Sequence, residues 1–238
     1  GDGDEARDAI ARRVTVAPIT LDTAAIPLVQ RGADASTVLH VGTMFWPPNR
    51  DAVRWFTRDV WPRVRAAHPD ATFEAVGARP PKDLLAAALA DPRIAMPGYV
   101  ADLDATWGRT ALFVVPLLSG GGMRVKILDA MARGLPVVST AVGCEGIDAV
   151  DGRDLLIADD APAFAAAVLR LLHDRPLADR LAASARRLVA SRYDLSALGP
   201  VLERVYDRLA PRVPSVHCSN ATHSPPRPAP ALAAADTP

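Results

Sequence analysis

Three consecutive glycines, Gly120, Gly121 and Gly122, stand just before Arg124 and Lys126, and Asp129 follows three residues later. Bare glycine backbone lets a ligand approach closely. The apolar run Ala111 to Leu118 before them reads as a buried strand, and Met123 to Arg133 reads as a helix stopped by Gly134. The first amides of a helix lack intrahelical partners and carry partial positive charge, so acids are expected in its first turn. Here the opening carries Arg124 and Lys126 and no acid. Two cations on a positive pole repel one another unless an anion joins them, so the stretch predicts a phosphate or diphosphate site. At about 100° per residue, Lys126, Asp129 and Arg133 share one stripe. A carboxylate beside a phosphate suits a ribose diol, whose hydroxyls donate to it. The same spacing also suits solvated ion pairs worth ~0.2–0.5 kcal/mol each, and spacing alone leaves both readings open.

The elements that must position these residues alternate along the chain. Thr37–Gly42 and Thr72–Gly77 read as strands ending in glycine. A helix is predicted over about 50–66, with Asn49 as a candidate cap. Pro81 starts a helix to about Ala90. Arg93–Met96 is a short strand, and Asp102 begins a helix through Trp107. Leu135–Thr140 and Asp154–Ala158 are further strands, with helices at about 161–173, 176–191 and 195–210. Short apolar strands alternating with helices predict an α/β fold, a doubly wound parallel sheet of Rossmann-like type. Ligands in such sheets bind beyond the strand carboxyl ends, where strand order reverses. Gly42, Gly77, Gly98 and Gly120–Gly122 would line that rim.

Residues 1–35 have weak periodicity, with one short strand expected within Arg13–Pro18, and read as a linker. Residues 36–192 read as the ligand-binding domain and 193–210 as a C-terminal helix. From Pro211 the composition changes: Pro211, Pro214, Pro225, Pro226, Pro228, Pro230 and Pro238 are accompanied by only Val213, Val216 and Leu232 as larger aliphatics. Residues 211–238 are therefore expected to be a disordered tail. The chain opens on Gly-Asp-Gly-Asp-Glu rather than Met, so we expect a piece of a longer protein.

At 238 residues and 50% hydrophobic, the chain can bury a sizeable core. Its 27 basic residues equal its 27 acidic ones, which gives no reason to expect nucleic acid. Cys144 and Cys218 make no disulfide framework and have no metal-ligand spacing, which fits a reducing cytoplasm. No stretch stays apolar for the ~18 residues a span needs. The G-x-x-x-x-G-K-[ST] loop, the G-x-G-x-x-G turn after the first strand, the G-x-S-x-G elbow and H-E-x-x-H are all absent. His40 ends a strand and reads as a satisfied rim or core histidine. His68, His173, His217 and His223 show no partner pattern, and Asn220-Ala221-Thr222 reads as a chance glycosylation match.

The stretch Gly120 to Thr140, with Gly143-Cys144-Glu145-Gly146-Ile147 after it, resembles the donor-binding, C-terminal half of a GT-B glycosyltransferase. It is most similar to family 4, the glycosyl transferases group 1 type, in a bacterial branch linked to exopolysaccharide. Val41 to Asn49 and Gly98 to Leu103 agree with that branch, and Val14 to Asp22 resembles its interdomain linker. The resemblance covers about 37–192. It implies a cytoplasmic enzyme, at most peripherally bound to the inner membrane face. It also implies a nucleotide-diphosphate sugar donor, a carbohydrate or lipid-linked acceptor, retention of configuration, and neither metal nor cofactor. By the same analogy Arg124, Lys126, Gly120, Gly121, Gly122, Gly42 and Thr43 meet the diphosphate. Asp129 meets the ribose, and the backbone at Tyr99 and Val100 meets the base. The family's paired acids, Glu-x7-Glu, fall here on Gly121 and Asp129. Catalytic residues acting on the acceptor are expected in an N-terminal domain of similar size. The alternatives are a non-catalytic nucleotide-sugar-binding module and, more remotely, a non-transferring GT-B epimerase.

Overall fold

The computed structural model describes residues 14–32 and 34–209. Among them, six parallel strands form one sheet: β1 (Thr37–Val41), β2 (Thr72–Val76), β3 (Ile94–Gly98), β4 (Thr110–Val115), β5 (Val137–Ser139) and β6 (Leu156–Ile157). Their order is β3-β2-β1-β4-β5-β6. The chain steps outward from β1 to β3, then returns to the other side of β1 as β4. Strand order therefore reverses between β1 and β4, which pair directly; in sheets of this kind the ligand crevice lies beyond the carboxyl ends at that point. The expected doubly wound, Rossmann-like sheet is present.

The helices are α1 (Pro47–Trp55), α2 (Trp61–Ala67), α3 (Lys82–Ala90), α4 (Asp104–Arg109), α5 (Val125–Ala132), α6 (Ala161–His173), α7 (Arg175–Arg192) and α8 (Leu195–Leu209). Side chains alternate across a strand, so each strand feeds both faces of the sheet. Val38, Phe73 and Leu112 enter one layer, with Phe56, Trp61 and Phe164. Leu39, Val76 and Phe113 enter the other, with Ile127, Leu128 and Met131 of α5. The short apolar strands of the sequence are thus buried on both sides.

The single helix expected over 50–66 is broken into three pieces, because a π-helical turn, Phe56–Val60, separates α1 from α2. Pro62 has no N–H to give to Arg58, and the Trp61 amide bonds the Phe56 carbonyl five residues back instead. Residues 14–18 form no strand, in contrast to the expectation over Arg13–Pro18. That segment instead leads to docked backbone: the Leu21 amide bonds Tyr193 O at 2.7 Å, and the Val29 amide bonds Arg133 O at 2.9 Å. Asp102 precedes its helix rather than opening it, accepting the Asp104 amide at 2.8 Å. The expected tail at 211–238, with Cys218, His217, His223 and Asn220, lies outside the described residues, as do residues 1–13. His68 and His173 do meet: their rings stack with centroids 5.2 Å apart. Each closes a different helix, so no local pattern could have paired them. Among the described residues no helix is long and apolar enough to cross a membrane.

Candidate functional site

The rim beyond β1, β2 and β3 is built of glycine. The Gly42 amide bonds Val76 O at 2.8 Å, and the Gly77 amide bonds Gly98 O at 2.8 Å. A Cβ on Gly77 would fall 1.9 Å from the Gly42 carbonyl oxygen. Gly77→Ala must push the β1 and β2 ends apart. We expect it to destabilise the fold by about 1–3 kcal/mol in urea unfolding, the usual cost of overpacking. An unchanged midpoint would show that the Gly42 loop yields without cost.

Beyond β4, Gly120 and Gly122 take φ of 113° and 85°, a left-handed backbone that favours glycine. This turn swings the chain from β4 into α5 and leaves Gly120–Gly122 exposed. Arg124 does not lie inside the helix, as expected, but at its N-cap in extended conformation. It is only 6% exposed. Its Nη1 donates to the carbonyls of Gly121 and Gly122, and its guanidinium lies over the Trp46 ring, 5.6 Å from the centroid. Its Nε and Nη2 have no partner among the described residues. A buried N–H left unpaired costs about 1–3 kcal/mol, and an anionic oxygen would remove that cost.

Lys126 reaches back across the crevice to β1. Its ammonium donates to Asn49 Oδ1 at 2.8 Å, and a Cβ on Gly42 would fall 2.6 Å from Nζ. Burial, and then the neighbouring Arg124 charge, hold its pKa down to about 7. It makes no ion pair with Asp129; the i,i+4 partner Arg133 takes that carboxylate at 3.2 Å. Of the two ion pairs that spacing allowed, only the second forms. Arg133 in turn stacks over Trp107 at 4.9 Å, so Asp129 is anchored on the helix one turn beyond Lys126.

The structure therefore brings Gly42, Lys126, Arg124 and Gly120–Gly122 together at the β1–β4 reversal. It does not gather the remaining expected residues as closely. Thr43 is exposed; its carbonyl accepts Asn49 Nδ2 at 3.0 Å, and its hydroxyl donates to the Ala78 carbonyl at 3.5 Å. Tyr99 is 76% exposed beyond β3, two strands from β1. Val100 is half-buried against the second core layer. Asn49 is not a cap: Trp46 holds that position and Pro47 opens α1. The proline pair was the signal that the helix starts earlier, because Pro suits the first helical positions.

His40 is fully buried, with Nδ1 against Val114 O at 3.0 Å. A carbonyl only accepts, so Nδ1 carries the proton and Nε2 is a lone pair without a partner among the described residues. Burial first, then Lys126, pushes its pKa down to about 3, so it adds no positive charge. The satisfied histidine expected from sequence is satisfied on one nitrogen only. A separate cavity of about 640 Å³ opens at the amino ends of β1–β3. Its Glu74 and Arg109 neutralise each other in a pair at 2.7 Å, so it offers no surplus charge to an anion.

A crevice at the strand reversal, fronted by bare backbone and two basic side chains, is a frame for a phosphorylated ligand. Residues 35–174 match the family described as glycosyl transferases group 1, and the chain belongs to that family. A curated relative, an uncharacterized 44.6 kDa protein in the cps region of Klebsiella pneumoniae, is 28% identical over 166 residues, covering 66% of this chain. The chain spans 42% of that relative's length. The Anabaena protein Alr3699/HepE in complex with UDP and glucose superposes with a TM-score of 0.62 at 15% identity, over 80% of this chain and 55% of that one. The C-terminal domain of the glycosyl transferase group 1 family protein LpcC from Francisella tularensis superposes with a TM-score of 0.59 at 17% identity, over 74% of this chain and 99% of that one. The fold is that of a GT-B glycosyltransferase domain.

Proposed function

We propose that residues 36–192 are the donor-binding half of a family 4 glycosyltransferase. It would transfer a hexosyl unit from a nucleotide-diphosphate sugar to a hydroxyl of a carbohydrate or lipid-linked acceptor. Residues 14–35 would belong to the connection from an upstream acceptor domain, and 193–210 to a closing helix. The observation that carries this reading is the convergence of Lys126 and Arg124 at the β1–β4 reversal, with two guanidinium nitrogens, Nε and Nη2, lacking a partner among the described residues. In that role the pair meets the charge that develops on the departing diphosphate, in a partly dry site where such charges act strongly. Gly42, Thr43 and Gly120–Gly122 supply backbone around the phosphates, Asp129 the ribose contact, and Tyr99 and Val100 the base contact. With fixed cations in place the transfer would need no metal, and it would retain anomeric configuration.

UDP is the first donor to test, since the Anabaena protein is bound to UDP and glucose. The relative lies in a cps region, which favours a role in exopolysaccharide synthesis; we place that role in the cytoplasm, at most peripherally bound to the inner membrane face. The test is calorimetric titration of the chain with UDP, GDP and ADP. We expect Arg124→Ala to weaken the preferred diphosphate by about 1–3 kcal/mol, the scale of charged hydrogen bonds. Equal binding by parent and variant removes Arg124 from the site.

A second reading is favoured by one observation: among the described residues the site gathers cations, and its one carboxylate, Asp129, is paired with Arg133. On that reading the chain binds a nucleotide sugar and transfers nothing alone. A turnover assay on the chain, with and without added acceptor, separates the two.

A further inference from the structure

One polar side chain at the crevice is assigned no part in the reading above, yet it touches both walls. Asn49 lies in the first turn of α1 and is 4% exposed. Its Oδ1 accepts the Lys126 ammonium at 2.8 Å, and its Nδ2 donates to the Thr43 carbonyl at 3.0 Å. The amide orientation is fixed by these partners, since an ammonium only donates and a carbonyl only accepts. Gly42, immediately before Thr43, leaves no space between itself and the pair: a Cβ there would fall 2.6 Å from both Asn49 Nδ2 and Lys126 Nζ. One neutral amide thus ties the α5 cation to the β1 loop.

We propose that Asn49 is a positioning residue for the donor diphosphate: it holds the Lys126 ammonium at the loop after β1 without neutralising it. This rests on the donor-site reading. Its physical logic lies in the choice of a neutral partner. A carboxylate in the same place would hold the ammonium equally well but spend its charge inside the protein. An amide fixes the position and leaves the charge for the ligand. The charged and titratable groups around Lys126 agree with that division. Arg124 at the α5 N-cap is cationic, His40 on β1 is neutral, and Asp129 on α5 is taken by Arg133. No anion among these reaches the ammonium, so nothing offsets the burial and the Arg124 charge that hold its pKa down to about 7. A diphosphate arriving there favours the charged form, so donor binding takes up a proton.

The test uses the chain in two formats. The first is a side-chain NMR titration of Lys126 without ligand, in the parent, Asn49→Asp and Asn49→Ala. The second is calorimetry with UDP in buffers of different ionisation enthalpy, which counts protons. We expect Asn49→Asp to raise the Lys126 pKa by about one unit or more, as an opposite charge at contact does. It should leave little proton uptake near pH 7, moving the uptake to about one unit higher pH, and weaken UDP about tenfold. Asn49→Ala should also weaken UDP about tenfold, while proton uptake persists. The proposal is overturned if Lys126 titrates alike in parent and Asn49→Asp, or if UDP binding to the parent is free of proton uptake. If the parent binds none of UDP, GDP and ADP, the donor reading falls and the proposed role falls with it. The ligand-free titration still reports whether Asn49 controls Lys126. If the parent binds normally and the Asn49 variants bind as it does, the donor reading stands and this inference alone fails. Should Asn49→Asp not fold, the parent's proton count and Asn49→Ala still decide.

Discussion

With the proposed donor site, nucleotide-diphosphate affinity is expected to fall roughly 10- to 150-fold at about pH 6 when Lys126 becomes alanine. This follows from the ~1.5–3 kcal/mol of a hydrogen bond to a charged group, at 1.4 kcal/mol per tenfold. The pH matters because burial and Arg124 hold the Lys126 pKa down to about 7. Below that value the ammonium is formed in the free protein and meets the diphosphate directly. Above it, the free protein carries a neutral amine, and binding must first restore the proton. Parent affinity therefore falls as pH rises beyond 7, by up to about tenfold per unit, until the pKa of the bound state is reached. The ligand does not produce this slope, because the second phosphate ionisation near pH 6 is already complete. Lys126→Ala has no such proton to gain, so its affinity is flat above neutrality and the two proteins converge. Calorimetry from about pH 6 to pH 9 tests both parts. Parallel pH profiles for parent and variant would show that the ammonium does not meet the diphosphate.

Phe56→Ala costs the fold about 3–5 kcal/mol, the range for a large aromatic removed from a core. Phe56 is fully buried and stands at the centre of an aromatic group. Its ring lies 4.4 Å from Phe73 on β2, 6.0 Å from Phe164 on α6 and 6.4 Å from Trp61 on α2. Its backbone also opens the π turn and accepts the Trp61 amide. Truncation leaves a cavity among rigid rings, which cannot collapse to fill it as flexible aliphatic side chains would. Total stabilities are only about 5–15 kcal/mol, so the variant is left close to unfolding. Urea denaturation reads the loss as a lowered midpoint. A shift below about 1 kcal/mol would mean that the layer repacks, and that the rings are not its fixed framework.

Much of this protein is legible along the chain. Strand runs such as Leu112–Val115 are apolar on consecutive residues, which only a sheet covered on both faces accepts. The glycines after β1, β2 and β4, with Arg124 and Lys126 behind them, mark the candidate rim because backbone freedom and helix-end charge are local properties. Local rules also failed where two of them competed. Asn49 was a plausible cap, but the prolines before it start α1 earlier and put its amide inside the crevice. Pro62 was visible, yet nothing local showed that Phe56, which opens the π turn, packs against Phe73 and Phe164 from distant elements.

Neighbouring residues in the chain dictated the kind of sheet, the rim where bare glycine backbone gathers, and the basic charge placed at that rim. Each of these follows from residues near one another in the chain. Tertiary structure alone decided which partners those residues keep. Lys126 meets Asn49 from far along the chain rather than Asp129 one turn away, and Asp129 goes to Arg133. The reason is geometric: β1 and β4 are neighbours only because the strand order reverses between them, and that reversal sets the α5 cation against the β1 loop.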